Sequence, residues 1–175
     1  MVLESDFPPD IRVENEIESL IKEGFNITLL CATRSKTRTK KEVYSDQLTV
    51  YRERISTFLY KSKVGQLKFS FYDLFWKRFI KKILRQDEEN KFDIIHVHDL
   101  SLARIGIWLK KKLGVPVVFD LHENYPYLIK DAKHTQKGLG RILSDYKQWI
   151  KFEKKIIPQA CLLYTSDAAD DLLCV

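Results

Sequence analysis

The feature that most limits the possible folds of this chain is a repeated change of period. Short apolar runs occur at 26–32 ("NITLLCA"), 47–53 ("QLTVYRE"), 92–97 ("FDIIHV") and 115–121 ("VPVVFDL"). They are rich in Val, Ile, Leu or Phe and flanked by Gly, Pro, Asn or Asp, which is how buried strands are written. Amphipathic stretches lie between them. "DIRVENEIESLIKEG" places Val13, Ile17, Leu20 and Ile21 on one helical face and stops at Gly24, a favoured C-cap residue. "KFSFYDLFWKRFIKKILRQ" (68–86) reads as a second helix, and "SLARIGIWLKKKLG" (101–114) as a third, started by Ser101 and stopped by Gly114 ahead of Pro116. Strand, helix, strand in repetition implies an α/β fold with a Rossmann-like, doubly wound parallel sheet. The segment "TRSKTRTKKEVYSD" (33–46) has no periodicity and reads as a polar, basic loop.

Both ends of the chain depart from this pattern. "CLLYTSDAADDLLCV" follows a helix-like run without a turn signal, and Cys161 to Asp171 back-translates onto the transposase adapter of sequencing libraries. Residues 161–175 are therefore expected to be a non-native read-through tail, leaving residues 1–160 as one domain. At the other end "MVLE" is short for the first strand of a parallel sheet, so Met1 is expected to be an internal start. The tail holds three aspartates and no Lys or Arg, so the formal charge of +6 becomes +9 without it. Cys31 is the only cysteine outside the tail, which excludes an intrachain disulfide framework there and points to a reducing, cytoplasmic setting. No apolar run approaches the ~18 residues needed to span a bilayer.

In a doubly wound sheet, ligands bind beyond the carboxyl ends of the strands, where strand order reverses. Three strand ends here are polar: "ESDFPPDIR" after the first, "HVHDL" at 96–100, and "DLHENYP" at 120–126. His96 and His98 share one side of their strand because side chains repeat every two residues, and Asp99 falls at its mouth. His96, deeper in the strand, reads as a satisfied core histidine. His98, Asp99, His122 and Glu123 read as the lining of a cleft.

These blocks resemble the N-terminal domain of family 4 glycosyltransferases. The resemblance rests on H-x-H-D after one strand, D-x-H-E after the next, and a helix carrying Trp149 and Glu153 near the end, and it covers nearly all of residues 1–160. It implies one half of a GT-B architecture of two Rossmann-like domains, in which the N-terminal half holds the acceptor and the other half holds most of the nucleotide sugar. Transfer is then expected to proceed with retention of configuration, onto a glycan or lipid-linked acceptor. The resemblance places His122 in the reaction cleft near the transferred sugar and Asp99 and His98 on the acceptor side, with Glu123 and Asn124 as further hydrogen-bonding groups. His122 and Asp99 are the expected catalytic pair. In the first loop the chain departs from the pattern: many relatives have a Gly pair there, whereas this chain has Pro8, Pro9, Asp10 and Arg12. A proline offers no N–H to a phosphate, so Asp10 and Arg12 are the expected contacts from that loop, Arg12 as a charged one. Half a site implies that the 175-residue chain alone transfers no sugar.

Other classes fit less well. H-x-H with a nearby Asp can bind zinc in a hydrolase, but such sites need further ligands, and only His122 and His134 remain among the histidines. No metal or cofactor is expected. A dinucleotide-dependent oxidoreductase lacks its G-x-G-x-x-G, since Gly138 and Gly140 follow no strand. A non-catalytic binding module stays open. The 69–86 helix interleaves Lys77, Arg78, Lys81, Lys82 and Arg85 with Phe75, Trp76, Phe79, Ile80 and Ile83. It is read either as a core helix with a solvated cationic face or as a peripheral contact with an anionic membrane at its inner face. Nucleic acid is not an expected partner, because no recognition motif accompanies the charge.

Overall fold

The computed structural model describes residues 1–86, 91–132, 135, 140 and 143–165. His134 and Gly138 lie outside the described residues. The strands are β1 (Val2–Leu3), β2 (Ile27–Thr33), β3 (Lys41–Ser45), β4 (Leu48–Arg54), β5 (Ile95–His98), β6 (Val117–Leu121) and β7 (Leu162–Thr165). The helices that matter below are α1 (Ile11–Lys22), α2 (Thr57–Ser62), α3 (Phe71–Gln86), α4 (Ala103–Leu113), α5 (Tyr125–Asp131) and α6 (Tyr146–Ile156).

The strands form one sheet in the order β3-β4-β2-β1-β5-β6-β7, parallel throughout except for β3. With that antiparallel edge set aside, the parallel strands follow the doubly wound order 3-2-1-4-5-6, and the switch point lies between β1 and β5. Short as it is, β1 is central: Val2 pairs with Leu30 on one side and Val97 on the other. Alternation along the strands then builds two cores. On one face Leu3, Leu29, Cys31 and Val50 pack beneath Val13 and Ile17 of α1. On the other, Val2, Val97 and Phe119 meet Trp76 and Phe79 of α3, Ile105 of α4 and Trp149 of α6.

Two expectations are corrected. The segment read as a loop at 33–46 contains β3, whose residues are almost all exposed; an edge strand with no buried face carries no apolar alternation to reveal it. It is held instead by Arg52, a buried side chain that donates to the Phe7 carbonyl at 2.9 Å and the Tyr44 hydroxyl at 2.9 Å and pairs with Glu42 at 2.8 Å. Ser101 does not start α4. A 3-10 turn over Leu100–Leu102 intervenes, and Ser101 turns inward. Just past residue 160, within the segment expected to be a tail, the chain forms a further strand. Leu162–Thr165 pairs in parallel with Val118–Leu121, and the Cys161 N–H donates to the Val117 carbonyl at 2.8 Å. An apolar run beside an open strand edge satisfies that edge whatever its origin.

Candidate active site

The C-terminal ends of β1, β5 and β6 bring two polar clusters to the switch point. The first lies under α1. His96 and His98 do project from the same face of β5, with ring centroids 4.6 Å apart, and His122 from beyond β6 stacks next to His98 at 5.6 Å. Register places Asp120 directly beside His98. Its Oδ2 lies 2.8 Å from His122 Nε2 and 3.3 Å from His98 Nδ1. The two ring nitrogens are also 3.3 Å from each other, but the carboxylate is the stronger acceptor, so both rings are read as donating to it.

These contacts set the charges. Burial alone would raise the Asp120 carboxyl, but the hydrogen bonds from His122 and His98 outweigh it and hold the group well below the ordinary carboxylate range. The same hydrogen bond raises His122 above an ordinary histidine, against burial and the nearby positive charge of Arg12. Burial lowers His98, and it pushes His96 down to about 3. An aspartate therefore orients His122 and makes it more basic, while the deeper histidines stay neutral.

The second cluster gathers around Glu4, the first polar residue after β1. Its Oε1 accepts from Lys63 Nζ at 2.6 Å and from the Tyr72 hydroxyl at 2.8 Å, and its Oε2 from the Ser101 hydroxyl at 2.5 Å. Beside it, burial and then the Glu4 charge raise Asp99 to about 6. Asp99 holds φ 71° and ψ 144°, pinned by its N–H donating to the Asp120 carbonyl and by its own carbonyl accepting from Leu102. The buried Tyr125 hydroxyl has no hydrogen-bond partner.

The expected residues separate on this geometry. Asp99 follows β5 and His122 follows the adjacent β6, each within reach of the other's charge, with Glu123 and Asn124 exposed. Asp10 is the N-cap of α1, its carboxylate accepting from the Val13 N–H, and is committed to the helix. Arg12 is more than half exposed and lies 3.6 Å from Asp10. His98 was expected in the cleft lining; its side chain is fully buried although it is the last residue of β5, because Glu16 of α1 lies over it. Glu4, Lys63, Tyr72 and Tyr125 were not anticipated. Glu4 obeys the positional rule that singled out Asp99, whereas Lys63 arrives from a 3-10 turn at the end of α2 that no motif marks.

A doubly wound sheet with carboxylates and a carboxylate-held histidine at its switch point is a ligand-binding Rossmann-like domain. More particularly, the chain belongs to Glycosyltransferase Family 4, whose family model matches residues 11–174. It is 30% identical over 117 residues to the alpha-monoglucosyldiacylglycerol synthase of Streptococcus pneumoniae (strain ATCC BAA-255 / R6), a match covering 51% of this chain and 26% of that protein. A second alpha-monoglucosyldiacylglycerol synthase, from Acholeplasma laidlawii, is 33% identical over 48 residues, covering 27% of this chain and 12% of the relative. The chain thus spans about a quarter or less of the length of these relatives. Among solved structures, sucrose-phosphate synthase from Thermosynechococcus elongatus superposes with a TM-score of 0.55 at 12% identity, over 89% of this chain and 41% of that one. That likeness establishes the shared fold.

Proposed function

We propose that this domain is the acceptor side of a retaining glycosyltransferase that moves a sugar from a nucleotide-sugar donor to a lipid-linked or glycan acceptor. The observation that carries the reading is the Asp120-held His122 after β6 of a family 4 sheet, with Asp99 at the end of the neighbouring β5 near enough to feel its charge. Such a transfer passes through an oxocarbenium-like state, so the site must orient an acceptor hydroxyl and stabilise charge on the leaving diphosphate. Asp99 takes the acceptor hydroxyl, His122 contacts the transferred sugar, and Arg12 offers positive charge to the donor phosphate. Glu123 and Asn124 hydrogen-bond sugar hydroxyls at the rim. His98 acts through Asp120 as a positioning residue. The names of the relatives favour a diacylglycerol-type acceptor. Transfer of labelled glucose from UDP-glucose to diacylglycerol in mixed vesicles, by the enzyme carrying this domain, tests the reading. Acceptance of water-soluble glycans alone would remove the lipid acceptor from it.

A second reading concerns location, on the cytoplasmic face of a membrane. Among the described residues no helix is long and apolar enough to cross one. The aromatics expected to interleave with the cations of α3 divide by face: Trp76, Phe79, Ile80 and Ile83 are buried in the core. Phe69, Phe71 and Leu74 remain outside, with Phe71, Leu74, Arg78, Lys82 and Arg85 following one another at helical spacing. An exposed aromatic end leading into a cationic stripe fits a peripheral contact with anionic lipid. Co-sedimentation with phosphatidylglycerol vesicles at low salt tests it, and absence of binding would retire it.

A further inference from the structure

We propose that Glu16 of α1 and His96 and His98 of β5, with Asp120 of β6 behind them, form a binding site for one divalent transition-metal ion of the zinc class. The side chains converge from three elements. His96 Nε2 lies 3.3 Å from Glu16 Oε1, His98 Nε2 lies 3.5 Å from Glu16 Oε2, and Asp120 Oδ2 is 4.0 Å from His96 Nε2. One ligand atom from each of the four residues can be chosen so that all lie within 4.8 Å of one another.

The hydrogen bonding inside this cluster is incomplete. Both Nε2 atoms and Asp120 Oδ1 are buried and lack a hydrogen-bond partner, even though Glu16 is near. Buried polar atoms are paired in native proteins almost without exception, and two orphaned imidazole nitrogens facing one carboxylate, with a third orphan on the neighbouring Asp120, call for a ligand. The tautomer argues in the same direction. His98 Nδ1 donates to Asp120, so its Nε2 carries a lone pair, aimed at Glu16. This is the carboxylate-histidine arrangement that orients metal-binding imidazoles. Protons can fill both nitrogen-to-oxygen gaps only if Glu16 is protonated toward His98 and His96 carries its hydrogen on Nε2; a cation satisfies both nitrogens and the carboxylate at once.

The donor set selects the ion. Two imidazoles with carboxylate oxygens suit Zn²⁺ or Co²⁺, whereas Mg²⁺ and Ca²⁺ require oxygen cages. Tetrahedral bonds of about 2.0–2.1 Å put ligand atoms roughly 3.3 Å apart. The Glu16–His96, Glu16–His98 and Asp120–His96 separations of 3.3, 3.5 and 4.0 Å already approach that spacing, and closing the whole set from within 4.8 Å takes a contraction of at most about 1.5 Å. The sequence pattern suggested zinc at H-x-H but pointed to histidines for the remaining ligands; the structure supplies carboxylates from other elements. With His98 fully buried and His96 only 14% exposed, the ion would pin the first helix to the sheet and so hold Arg12 at the cleft. It needs no part in sugar transfer.

The test uses the whole 175-residue chain, stripped with EDTA and dialysed. Zn²⁺ should bind with one equivalent and raise the melting temperature, while Mg²⁺ at the same concentration does neither. Co²⁺ should give a tetrahedral visible spectrum without the thiolate charge-transfer band that capture at Cys161 would add. Glu16→Gln, a conservative change on a partly exposed side chain, should weaken Zn²⁺ binding by about 10-fold or more, the range for losing one supporting group. His96→Gln should do the same. Absence of a metal-dependent shift in the unsubstituted protein, a thiolate band, or Zn²⁺ binding unchanged in both variants would each overturn the proposal. A Zn²⁺ effect surviving Glu16→Gln but lost in His96→Gln would remove Glu16 from the ligand set and overturn the site as stated.

Discussion

Asp99 sits in a region of backbone space that side-chain-bearing residues avoid, at a cost of about 1–3 kcal/mol. Its carboxyl is also raised to about 6 by burial, so holding it ionised near neutrality adds to that cost. Backbone strain of this kind clusters at ligand sites, which is what motivates testing Asp99. Asp99→Gly relieves both penalties and gives back roughly 0.5–1 kcal/mol in chain entropy, leaving a net gain of about 1 kcal/mol. The expected outcome is a higher urea midpoint together with loss of transfer in the enzyme carrying this domain; a lower midpoint would show that Asp99 is structural. Cys31 offers a second measurement at this scale. It is fully buried, and burial pushes its thiol up to about 12. Iodoacetamide at pH 8 should leave it unmodified until the protein unfolds, while the exposed Cys161 reacts. Residue by residue, the sequence revealed groups whose position relative to a strand end is fixed by period two, namely Asp99, His98 and His122. It did not reveal which of them α1 would cover, because that depends on how a helix distant in sequence lies across the sheet.

Helix α4 is legible at its end and not at its middle. Gly114 closes α4 at φ 72°, the left-handed position its place before Pro116 implies. Gly106, inside the same helix, carries no sequence signal, yet a Cβ there would meet Phe119 at 2.8 Å and Val97 at 2.9 Å. The helix rests on the sheet at that point. Gly106→Val should lift α4 and cost about 2 kcal/mol or more, read from the denaturation midpoint, since well-packed cores resist added volume. A change near zero would mean that the helix can slide. At the sheet edge, β7 buries little, with Leu162 61% and Tyr164 57% exposed, so its contribution is backbone pairing to β6. Four paired residues at roughly 0.5–1.5 kcal/mol per hydrogen bond imply that deleting residues 161–175 lowers stability by a few kcal/mol. It should also promote association through the bared β6 edge, visible by light scattering. An unchanged melting temperature would show that this segment adds nothing to the stability of the fold. The strands with a buried face were recognisable from their apolar runs; β3 and β7, at the two edges, were not, because edge strands answer to backbone pairing more than to side-chain burial.

At the scale of the molecule, two cores lie on either face of the sheet, and the polar clusters sit where neither core extends, at the switch point. That placement follows from topology, which the strand-helix alternation implied from the start. The cationic stripe of α3 lies on the outside of the second core. Arg78→Glu, Lys81→Glu and Lys82→Glu together should abolish salt-sensitive binding to anionic vesicles, as each basic residue near such a surface contributes on the order of 1 kcal/mol. Binding that survives the triple reversal would move the contact elsewhere. The central claim, that the Asp120-held His122 belongs to a sugar-transfer site, is tested most directly by labelled-sugar transfer from a nucleotide-sugar donor. The comparison is between His122→Ala and the unsubstituted enzyme, at matched melting temperature. The account predicts a fall of about 10²-fold or more with unchanged folding, the range of a positioned polar group in an active site. Near-normal turnover in a well-folded His122→Ala enzyme would contradict it.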